Sequence, residues 1–297
     1  MSKHKSGFVN IVGNPNVGKS TIMNSLVGEK ISIITSKSQT TRHRIMGIVS
    51  GEDFQIVYSD TPGVLAPKSK LHESMLKFSN SALDDADVIL YITDVIEKFD
   101  KNPHFLKKVE SSDAKVILLI NKIDLSDQET IMKLIDKWQE VLPDALIIPT
   151  SAKENFNVDK LFDEIIEFLP ESPAYFPKDQ LTDKSERFFV QEIIREKILT
   201  NYDKEIPYAV EIEVEEFKEQ KNIIKIRSVI YVERDSQKGI IIGKKGEALK
   251  RIGTQARLDI EAFFGKKVYL ELYVKVSKDW KNKSTSLKKF GYANKNN

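Results

Sequence analysis

Residues 13–20 read Gly-Asn-Pro-Asn-Val-Gly-Lys-Ser and directly follow a short apolar run. They match G-x-x-x-x-G-K-[ST], a loop whose backbone N–H groups surround phosphate oxygens. Gly13 and Gly18 permit that tight curvature, and a helix beginning at Lys19 points the positive end of its dipole at the phosphates. The Lys19 ammonium is predicted to reach the β- and γ-phosphates, and the Ser20 hydroxyl to bind Mg²⁺. The stretch therefore predicts a nucleotide site between a strand and a helix.

The first half of the chain alternates apolar runs with segments of helical spacing. Short apolar runs predict buried strands at residues 8–12, 54–58, 88–92, 116–120 and 146–148. Helical spacing predicts helices over residues 20–27, 71–83, 103–110, 130–142 and 158–169. Residues 30–50 are irregular and are expected to form a loop that leads into an edge strand at 44–49. This alternation predicts an α/β domain with a mostly parallel sheet covered on both faces.

Asp60-Thr-Pro-Gly63 follows the second apolar run. At the carboxyl edge of the sheet, the Asp60 carboxylate would lie beside Ser20 and hold Mg²⁺ through a water, while the Gly63 amide contacts the γ-phosphate. By itself D-T-P-G is equally well an ordinary turn. Its pairing with the phosphate loop favours the nucleotide site.

Asn121-Lys-Ile-Asp124 ends the fourth run and predicts the choice of base. The Asp124 carboxylate can accept hydrogen bonds from guanine N1–H and the 2-amino group. Adenine has neither donor, so ATP would leave a buried carboxylate unpaired. Asn121 is expected to support the loops and the base, and the stem of Lys122 to lie over the ring. Backbone N–H groups after the fifth run are expected to face guanine O6, from Ser151, Ala152 and Lys153.

Four of the five predicted strands are followed within about two residues by one of these motifs. Each short motif occurs by chance on its own. In doubly wound sheets, however, ligands bind at the carboxyl ends of the strands, so these motifs converge on one site. The predicted nucleotide site comprises Asn14, Asn16, Val17, Gly18, Lys19, Ser20, Thr21, Asp60, Gly63, Asn121, Lys122, Asp124, Ser151, Ala152 and Lys153.

Gln39-Thr-Thr-Arg42 lies in the irregular loop and supplies hydroxyls that can close over Mg²⁺ and the γ-phosphate, from either Thr40 or Thr41. The alternative is an ordinary solvated loop rich in serine and threonine. Ordering of such a loop by the γ-phosphate, and its release after hydrolysis, turn a nucleotide into a switch.

Val64 follows Gly63, at or near the position where many enzymes of this type carry a glutamine that orients water. A valine side chain cannot orient water. We therefore expect slow hydrolysis unless Arg42, His43, a potassium-type ion or a bound partner completes the site.

A proline-rich stretch separates a second domain. Three prolines within residues 170–177 end the last helix and cannot support another element. The spacing beyond it predicts the order α-β-β-α-α-β, over residues 186–199, 208–216, 223–233, 236–242, 247–264 and 268–276. Strict alternation at 210–215 predicts one buried face and one acidic, solvated face. We predict a nucleotide domain at 1–170, a linker at 171–183 and an α+β domain at 184–297.

Gly243-Lys-Lys-Gly246 lies between two helices of that second domain. G-x-x-G alone is a common helix boundary, but in this element order it is typical of KH domains, which clamp about four single-stranded nucleotides. Lysine side chains of the loop can neutralise phosphates, and apolar residues 240–242 with the following helix would form the floor of a groove for bases. The predicted RNA contacts are Ile242, Gly243, Lys244, Lys245, Gly246, Lys250, Arg251 and Arg257.

Charge is divided unevenly along the chain. Residues 1–179 carry 21 Lys and Arg against 26 Asp and Glu, whereas residues 221–297 carry 19 against 7. Such a basic end suggests a polyanionic partner, with a solvated lysine surface as the alternative. The basic tail interleaves its lysines with Trp280, Phe290 and Tyr292, and this pattern fits additional RNA contacts and a surface helix equally well.

The chain contains no cysteine, which excludes disulfides, thiolate metal sites and thiol nucleophiles. Its start lacks the roughly 7 to 15 apolar residues of a signal peptide, and no apolar run approaches the ~20 residues of a membrane span. We expect a cytoplasmic protein.

The motifs G-N-P-N-V-G-K-S, Q-T-T-R-H-R, D-T-P-G-V, N-K-I-D, S-A-K, G-K-K-G and V-S-K-D-W-K, with the proline-rich linker, closely resemble the bacterial Era GTPase family over nearly the whole chain. The resemblance implies a monomeric P-loop GTPase with a type II KH domain that binds the 3′ end of 16S ribosomal RNA and assists maturation of the small (30S) subunit. It implies peripheral membrane association and a missing glutamine, in agreement with Val64. It also favours Thr41 over Thr40.

The candidate catalytic residues are accordingly Lys19, Thr41 and Gly63, and the candidate Mg²⁺ ligands are Ser20, Thr41 and Asp60. The main hypothesis is a switch in which GTP orders residues 37–44 and the segment after Gly63 and permits RNA binding. The alternative is a KH RNA-binding module whose nucleotide domain is a non-hydrolysing support. Use of ATP rests only on the generality of the phosphate loop.

Overall fold

The computed structural model describes residues 4–64, 66–97 and 102–292. Contacts divide the chain into two compact units between residues 183 and 184, and residues 69–71 group with the second unit. The first unit is α/β with a mostly parallel sheet and the second is α+β, so the predicted fold class is confirmed. Within the described residues, no helix is both long and apolar enough to cross a membrane.

A six-stranded sheet forms the centre of the first unit, in the described part of the chain. Its strands are β1 Lys5–Gly13, β2 Ile45–Ser50, β3 Phe54–Asp60, β4 Val88–Asp94, β5 Lys115–Asn121 and β6 Leu146–Pro149. They lie in the order β2-β3-β1-β4-β5-β6, and only β2 pairs antiparallel to its neighbour. The helices between them are α1 Lys19–Val27, α2 Lys70–Asp84, α3 Pro103–Glu110, α4 Gln128–Val141 and α5 Val158–Phe168.

The central strands are buried because parallel sheets are covered by helices on both faces. Every residue of β4 is buried. The register pairs Ile11 with Asp60 and Asp94 with Asn121, so neighbouring strands end at the same level. The loops that follow β1, β3, β4 and β5 therefore meet at one edge of the sheet.

The second unit contains a three-stranded sheet in the order β7-β8-β9, with β8 antiparallel to β7 and parallel to β9. Its elements are α6 Glu186–Asn201, α7 Ile206–Ala209, β7 Glu211–Glu219, β8 Ile223–Val232, α8 Asp235–Ile242, α9 Glu247–Phe264, β9 Lys267–Val276 and α10 Ser284–Lys289. The predicted α-β-β-α-α-β order is present. Sequence spacing missed the short helix α7, and α10 lies in the basic tail, for which a surface helix is one of the two predicted alternatives.

The start of strand β7 differs from the prediction. Residues 208 and 209, expected in the strand, belong to α7, where Pro207 occupies the first turn and needs no N–H donor. The prediction that one face of 210–215 is acidic and solvated is wrong for Glu211, which is 6% exposed. Its carboxylate accepts a hydrogen bond from the Tyr292 hydroxyl at 2.7 Å. A segment eighty residues away in sequence covers this face, and local alternation contains no sign of it.

The same C-terminal segment shows what its aromatic residues do. Trp280 is fully buried and its indole N–H donates to the Ala209 carbonyl at 2.9 Å. The Phe290 ring lies 5.2 Å from the Tyr231 ring. These side chains pack against the second unit, which favours the surface-helix interpretation of the tail over RNA stacking by Trp280 and Phe290.

Candidate functional site

The phosphate loop depends on backbone conformations that favour glycine. Gly13 and Gly18 have φ values of 145° and 102°, and Asn16 between them has 67°. A Cβ at Gly13 would lie 2.2 Å from the Ile92 carbonyl oxygen, and one at Gly18 would lie 2.2 Å from the Asn121 side-chain nitrogen. Both glycines are therefore required by close contacts with neighbouring strand ends as well as by φ.

Lys19 begins helix α1 and lies inside the phosphate loop. Its side chain is 6% exposed, and its ammonium donates to the carbonyl oxygens of Gly13 at 3.2 Å and Asn14 at 2.7 Å. Burial lowers the pKa of Lys19 to about 8, against the opposing influence of Asp60 and Glu97. A phosphate group in the loop would supply the negative charge that stabilises the protonated amine.

Ser20, Thr41 and Asp60 meet at one point. The Ser20 hydroxyl lies 2.7 Å from Asp60 Oδ2 and 2.9 Å from the Thr41 hydroxyl, which itself lies 3.2 Å from Asp60 Oδ2. Asp60 is fully buried, and its Oδ1 has no hydrogen-bond partner among the described residues. Burial raises the pKa of Asp60 above its ordinary value despite these hydroxyl contacts. Two hydroxyls and a buried carboxylate with a vacant oxygen form a donor set that fits Mg²⁺.

The adjacent threonine is engaged elsewhere. The Thr40 hydroxyl donates to the Lys37 carbonyl at 2.6 Å and lies 2.6 Å from the Thr35 hydroxyl. Its side chain therefore closes a turn within the loop. The geometry at Asp60 involves Thr41 and not Thr40.

Gly63 and Val64 follow strand β3 beside the phosphate loop. A Cβ at Gly63 would lie 2.8 Å from the Pro15 Cα, so a larger residue would separate the two loops. The Val64 N–H donates to the Gly13 carbonyl at 3.3 Å, and its side chain packs in the apolar cluster that contains Phe105. The valine thus belongs to the core.

Arg42 and His43 are the side chains predicted to replace the missing glutamine. Arg42 is 1% exposed, and the His43 ring lies 6.0 Å from Phe78 of α2. The His43 ring is thereby packed against a helix. The part that either side chain plays in hydrolysis stays a prediction.

Asn121 joins three motifs at the base end of the site. Its side-chain amide donates to the Val17 carbonyl at 2.8 Å and accepts the Ala152 N–H at 3.1 Å. The Ser151 hydroxyl donates to Asp124 Oδ1 at 2.6 Å and orients that carboxylate, which is itself exposed. Long-range hydrogen bonds therefore bring the G-x-x-x-x-G-K-S, N-K-I-D and S-A-K sequences together.

Lys122 has a left-handed backbone, with φ at 61°. Its ammonium donates to the Asn16 carbonyl at 2.6 Å and pairs with Asp94 at 2.5 Å. Lys153, by contrast, is exposed and pairs with Glu154 at 3.1 Å. Sequence reasoning missed Asp94, although a carboxylate at the end of a buried strand was the signal that would have identified it.

A cavity of about 400 Å³ lies over these residues, within the size range of small-ligand sites. Predicted site residues that line it are Asn16, Gly18, Lys19, Ser20, Thr21, Thr41, Gly63 and Lys122. Ile33, Ile34 and Thr35 also line it and were not predicted. We call this cavity, with Asn121, Asp124 and residues 151–153, the nucleotide site.

The G-K-K-G loop joins α8 to α9 through three residues with positive φ: Gly243 at 73°, Lys245 at 52° and Gly246 at 80°. A Cβ at Gly243 would lie 2.6 Å from the Ala248 Cβ. This tight turn leaves the side chains of Lys244 and Lys245 exposed.

A groove of about 390 Å³ lies between α9 and β9, and we call it the RNA groove. It is lined by Gly246, Leu249, Lys250, Gly253, Thr254, Arg257, Leu270 and Leu272. Of the predicted floor, the following helix α9 lines the groove, whereas residues 240–242 do not. Ile241 is fully buried in the core and Ile240 is 48% exposed. Gly253 of α9 also lines the groove, and a Cβ there would lie 3.4 Å from Leu272 Cδ1, an ordinary van der Waals distance.

The predicted RNA-contact residues differ in their surroundings. Lys250 and Arg257 line the RNA groove, and Arg257 also pairs with Glu261 at 2.9 Å. Ile242 is half-buried against the core, and Arg251 is exposed on α9 outside the groove lining.

Comparison with known proteins follows the same division of the chain. A family model described as 50S ribosome-binding GTPase matches residues 8–122, and a KH-domain model matches residues 205–281. The chain is 45% identical to GTPase Era of Staphylococcus epidermidis over 294 residues, 98% of each chain. It is 47% identical to GTPase Era of Alkaliphilus metalliredigens over 292 residues, 97% of this chain and 99% of the relative.

Solved structures of similar proteins have the same fold over both units. A crystal structure of Era with MgGDPNP and nucleotides 1506–1542 of 16S ribosomal RNA is 39% identical, with a TM-score of 0.93 over 98% of this chain and 99% of the other. Era from Aquifex aeolicus, a variant bound to GDP and AlF4⁻, is also 39% identical, with a TM-score of 0.92 over 97% and 99%. These likenesses extend along both units, and the chain therefore belongs to the Era family of GTPases.

Proposed function

We propose that this chain binds Mg²⁺ with GTP or GDP in the nucleotide site, hydrolyses GTP slowly, and binds the 3′ end of 16S ribosomal RNA in the RNA groove, thereby assisting assembly of the 30S subunit. The observation that carries the proposal is the convergence of the phosphate loop, the D-T-P-G motif and the N-K-I-D motif on one cavity, to which hydrogen bonds of Asn121 join the S-A-K motif. The chain is also similar over 98% of its length to an Era complex with MgGDPNP and 16S RNA.

We assign phosphate binding to Lys19 and to the backbone N–H groups of residues 14 and 16–21, since Pro15 has no N–H. Ser20, Thr41 and Asp60 would hold Mg²⁺, which when bound neutralises charge on the phosphates. Thr41 and the Gly63 N–H face the γ-phosphate. These groups would act by positioning and by electrostatic stabilisation, because the protein takes little part in the covalent chemistry of phosphoryl transfer.

We assign the selection of guanine to the Asp124 carboxylate, which accepts a hydrogen bond from the Ser151 hydroxyl. Asn121 holds its loop against the phosphate loop, and the stem of Lys122 lies over the base. The backbone of residues 151–153 supplies donors for guanine O6. A base without N1–H and a 2-amino group would leave Asp124 unpaired.

The burial of Val64 supports a slow intrinsic rate. A monomeric state and peripheral membrane association remain predictions from the family resemblance, and a potassium-type ion that completes the site remains a prediction from Val64. The separation of the chain near residue 183 supports the start of the KH domain at 184. Residues 171–183 group with the first unit, so the nucleotide domain at 1–170 and the linker at 171–183 stay predictions.

Nucleotide-dependent RNA binding tests the switch. Affinity for single-stranded RNA with the sequence of the 16S 3′ end is measured with a non-hydrolysable GTP analogue and with GDP. We expect tighter binding with the analogue, and by linkage RNA must favour the analogue by the same factor. Equal affinities would disprove the coupling. GTP turnover without any stimulation by RNA would restrict the proposal to two independent activities.

A further inference from the structure

The first turn of helix α2 contacts the loop that carries Thr41. His72 Nε2 lies 3.1 Å from Gln39 Oε1, and the Lys68 N–H donates to His72 Nδ1 at 3.1 Å. A neutral imidazole with its proton on Nε2 satisfies both contacts, because Nδ1 accepts while Nε2 donates to the Gln39 carboxamide oxygen. The ring thus fixes Gln39 relative to the start of α2.

Gln39 occupies a position where such a contact has consequences. Its backbone is left-handed, with φ at 59°, a conformation uncommon for residues other than glycine. It lines the nucleotide cavity and lies two residues before Thr41. On the other side of the same turn, the Thr40 hydroxyl donates to the Lys37 carbonyl. His72 therefore anchors this turn from a separate segment of the chain, the start of α2.

We propose that His72 is a positioning residue for GTP hydrolysis: its hydrogen bond to Gln39 holds residues 39–41 so that the Thr41 hydroxyl faces Mg²⁺ and the γ-phosphate. This inference rests on the proposed role of Thr41. His72 lies outside every motif that identified the family.

The bridge connects two segments that a nucleotide switch must move together. Gln39 belongs to the loop before β2, and His72 belongs to the helix that follows Gly63. A displacement of α2 breaks the contact and releases the turn at Gln39. Through this contact the position of α2 is coupled to the geometry at Thr41.

Four variants test the bridge: His72→Ala, His72→Gln, Gln39→Ala and the double alanine variant. Affinities for a non-hydrolysable GTP analogue and for GDP are measured in Mg²⁺, together with kcat and KM for GTP. We expect His72→Ala to weaken analogue binding and lower kcat by about three- to tenfold, the effect of one hydrogen bond. GDP affinity should stay within about twofold, because only the γ-phosphate state uses Thr41.

Rescue and additivity separate this role from a merely structural one. His72→Gln should restore most of the loss, because its carboxamide N–H can replace Nε2–H as donor. The double variant should be no worse than His72→Ala, since both changes remove one interaction. Lys77→Ala, on the exposed side of the same helix, is the matched control and should have no effect.

Several outcomes would overturn the inference: equal losses for the analogue and GDP, fully additive losses in the double variant, or no loss in His72→Ala. Thr41→Ala distinguishes failure of the proposed function from failure of the bridge. If Thr41→Ala leaves Mg²⁺-dependent analogue affinity unchanged, the assignment of Thr41 is wrong. If Thr41→Ala weakens it and His72→Ala does not, only the bridge is wrong.

Discussion

The nucleotide site and the RNA groove are both assigned to phosphate-bearing ligands, yet they are built differently. At the phosphate end of the nucleotide site the charged groups are buried, with Lys19 at 6% exposed and Asp60 at 0%. In the RNA groove and its loop, Lys244, Lys245 and Lys250 are exposed. Buried charges are costly without a ligand and act strongly on one that fits. Exposed lysines act weakly, additively and in a salt-dependent way.

The two sites also differ in how the chain assembles them. Residues of the nucleotide site range from Gly13 to Lys153 and are joined by contacts such as that between Asn121 and Val17. The G-K-K-G loop and most of the RNA groove come from one stretch, residues 243–272. A change in the first site should therefore affect several motifs at once, while changes in the second should stay local.

The most severe test of this contrast is Lys19→Ala. Loss of the buried ammonium should lower GTP hydrolysis by about 10²- to 10³-fold, as for other groups that stabilise transition-state charge. Steady-state phosphate release measures it, with Lys160→Ala on an exposed face as control. RNA affinity without nucleotide should remain within about twofold. A parallel collapse of RNA binding would show that the two sites are not separable.

Asp124→Asn should change the base that the site accepts. An asparagine side chain has one acceptor oxygen and one donor NH₂ group, so it cannot accept from both guanine N1–H and the 2-amino group. Its NH₂ group can instead donate to the carbonyl that xanthine carries in place of the 2-amino group. GTP should lose at least about a hundredfold in kcat/KM relative to XTP. Competition between GTP and XTP measures the ratio. An unchanged preference for GTP would show that Asp124 does not contact the base.

Lys19 also predicts a pH dependence. Its pKa falls from an ordinary 10.5 to about 8 in the ligand-free fold because of burial, so the unfolded chain binds the extra proton between these values. Stability of the ligand-free protein should therefore rise with pH across that window. Nucleotide binding needs the charged amine, so affinity should be constant below pH 8 and fall above it, by up to about tenfold per pH unit.

Equilibrium binding of GDP from pH 7 to 9, with RNA binding in parallel, measures this dependence. RNA affinity depends on exposed lysines and should show no break near pH 8. A GDP affinity that stays flat to pH 9 would contradict the assigned role of the buried amine.

Lys244→Ala and Lys245→Ala should each weaken single-stranded RNA binding by a few-fold and make the slope of log affinity against log salt shallower by about 0.7. The reason is that each exposed lysine neutralises one phosphate. Titrations over a series of salt concentrations give both quantities. A loss that does not change with salt would indicate a role in loop folding instead. Nucleotide affinity should be unaffected.

Lys289→Ala should have the smallest effect. Its ammonium pairs with Glu213 at 2.6 Å and lies 4.8 Å from the Tyr231 ring centroid. We expect a loss of stability below about 1 kcal/mol, as for partly exposed pairs, and no more than about a twofold change in RNA affinity. Thermal unfolding and RNA titration measure the two. A larger fall in RNA affinity would indicate that the basic tail contacts RNA.

Much of the fold and of the nucleotide site could be predicted, because the patterns that indicate them lie within short stretches of sequence. Apolar runs and helical spacing located the main strands and helices, since periodicity reports burial directly. The phosphate loop, D-T-P-G and N-K-I-D sequences could be placed at strand ends because a parallel sheet brings those ends to one edge. The short helix α7 was missed, because its four residues are too few for a periodic signal.

The sequence by itself determined the two-domain organisation, the nucleotide motifs and the glycine-lysine loop, because each depends on neighbouring residues and their preferred backbone. Only the tertiary structure decided which threonine faces Asp60, why Glu211 is buried and what forms the groove floor. It also decided that His72 meets Gln39. Those outcomes depend on contacts between segments distant in sequence, and residue patterns do not record which of many possible partners packing selects.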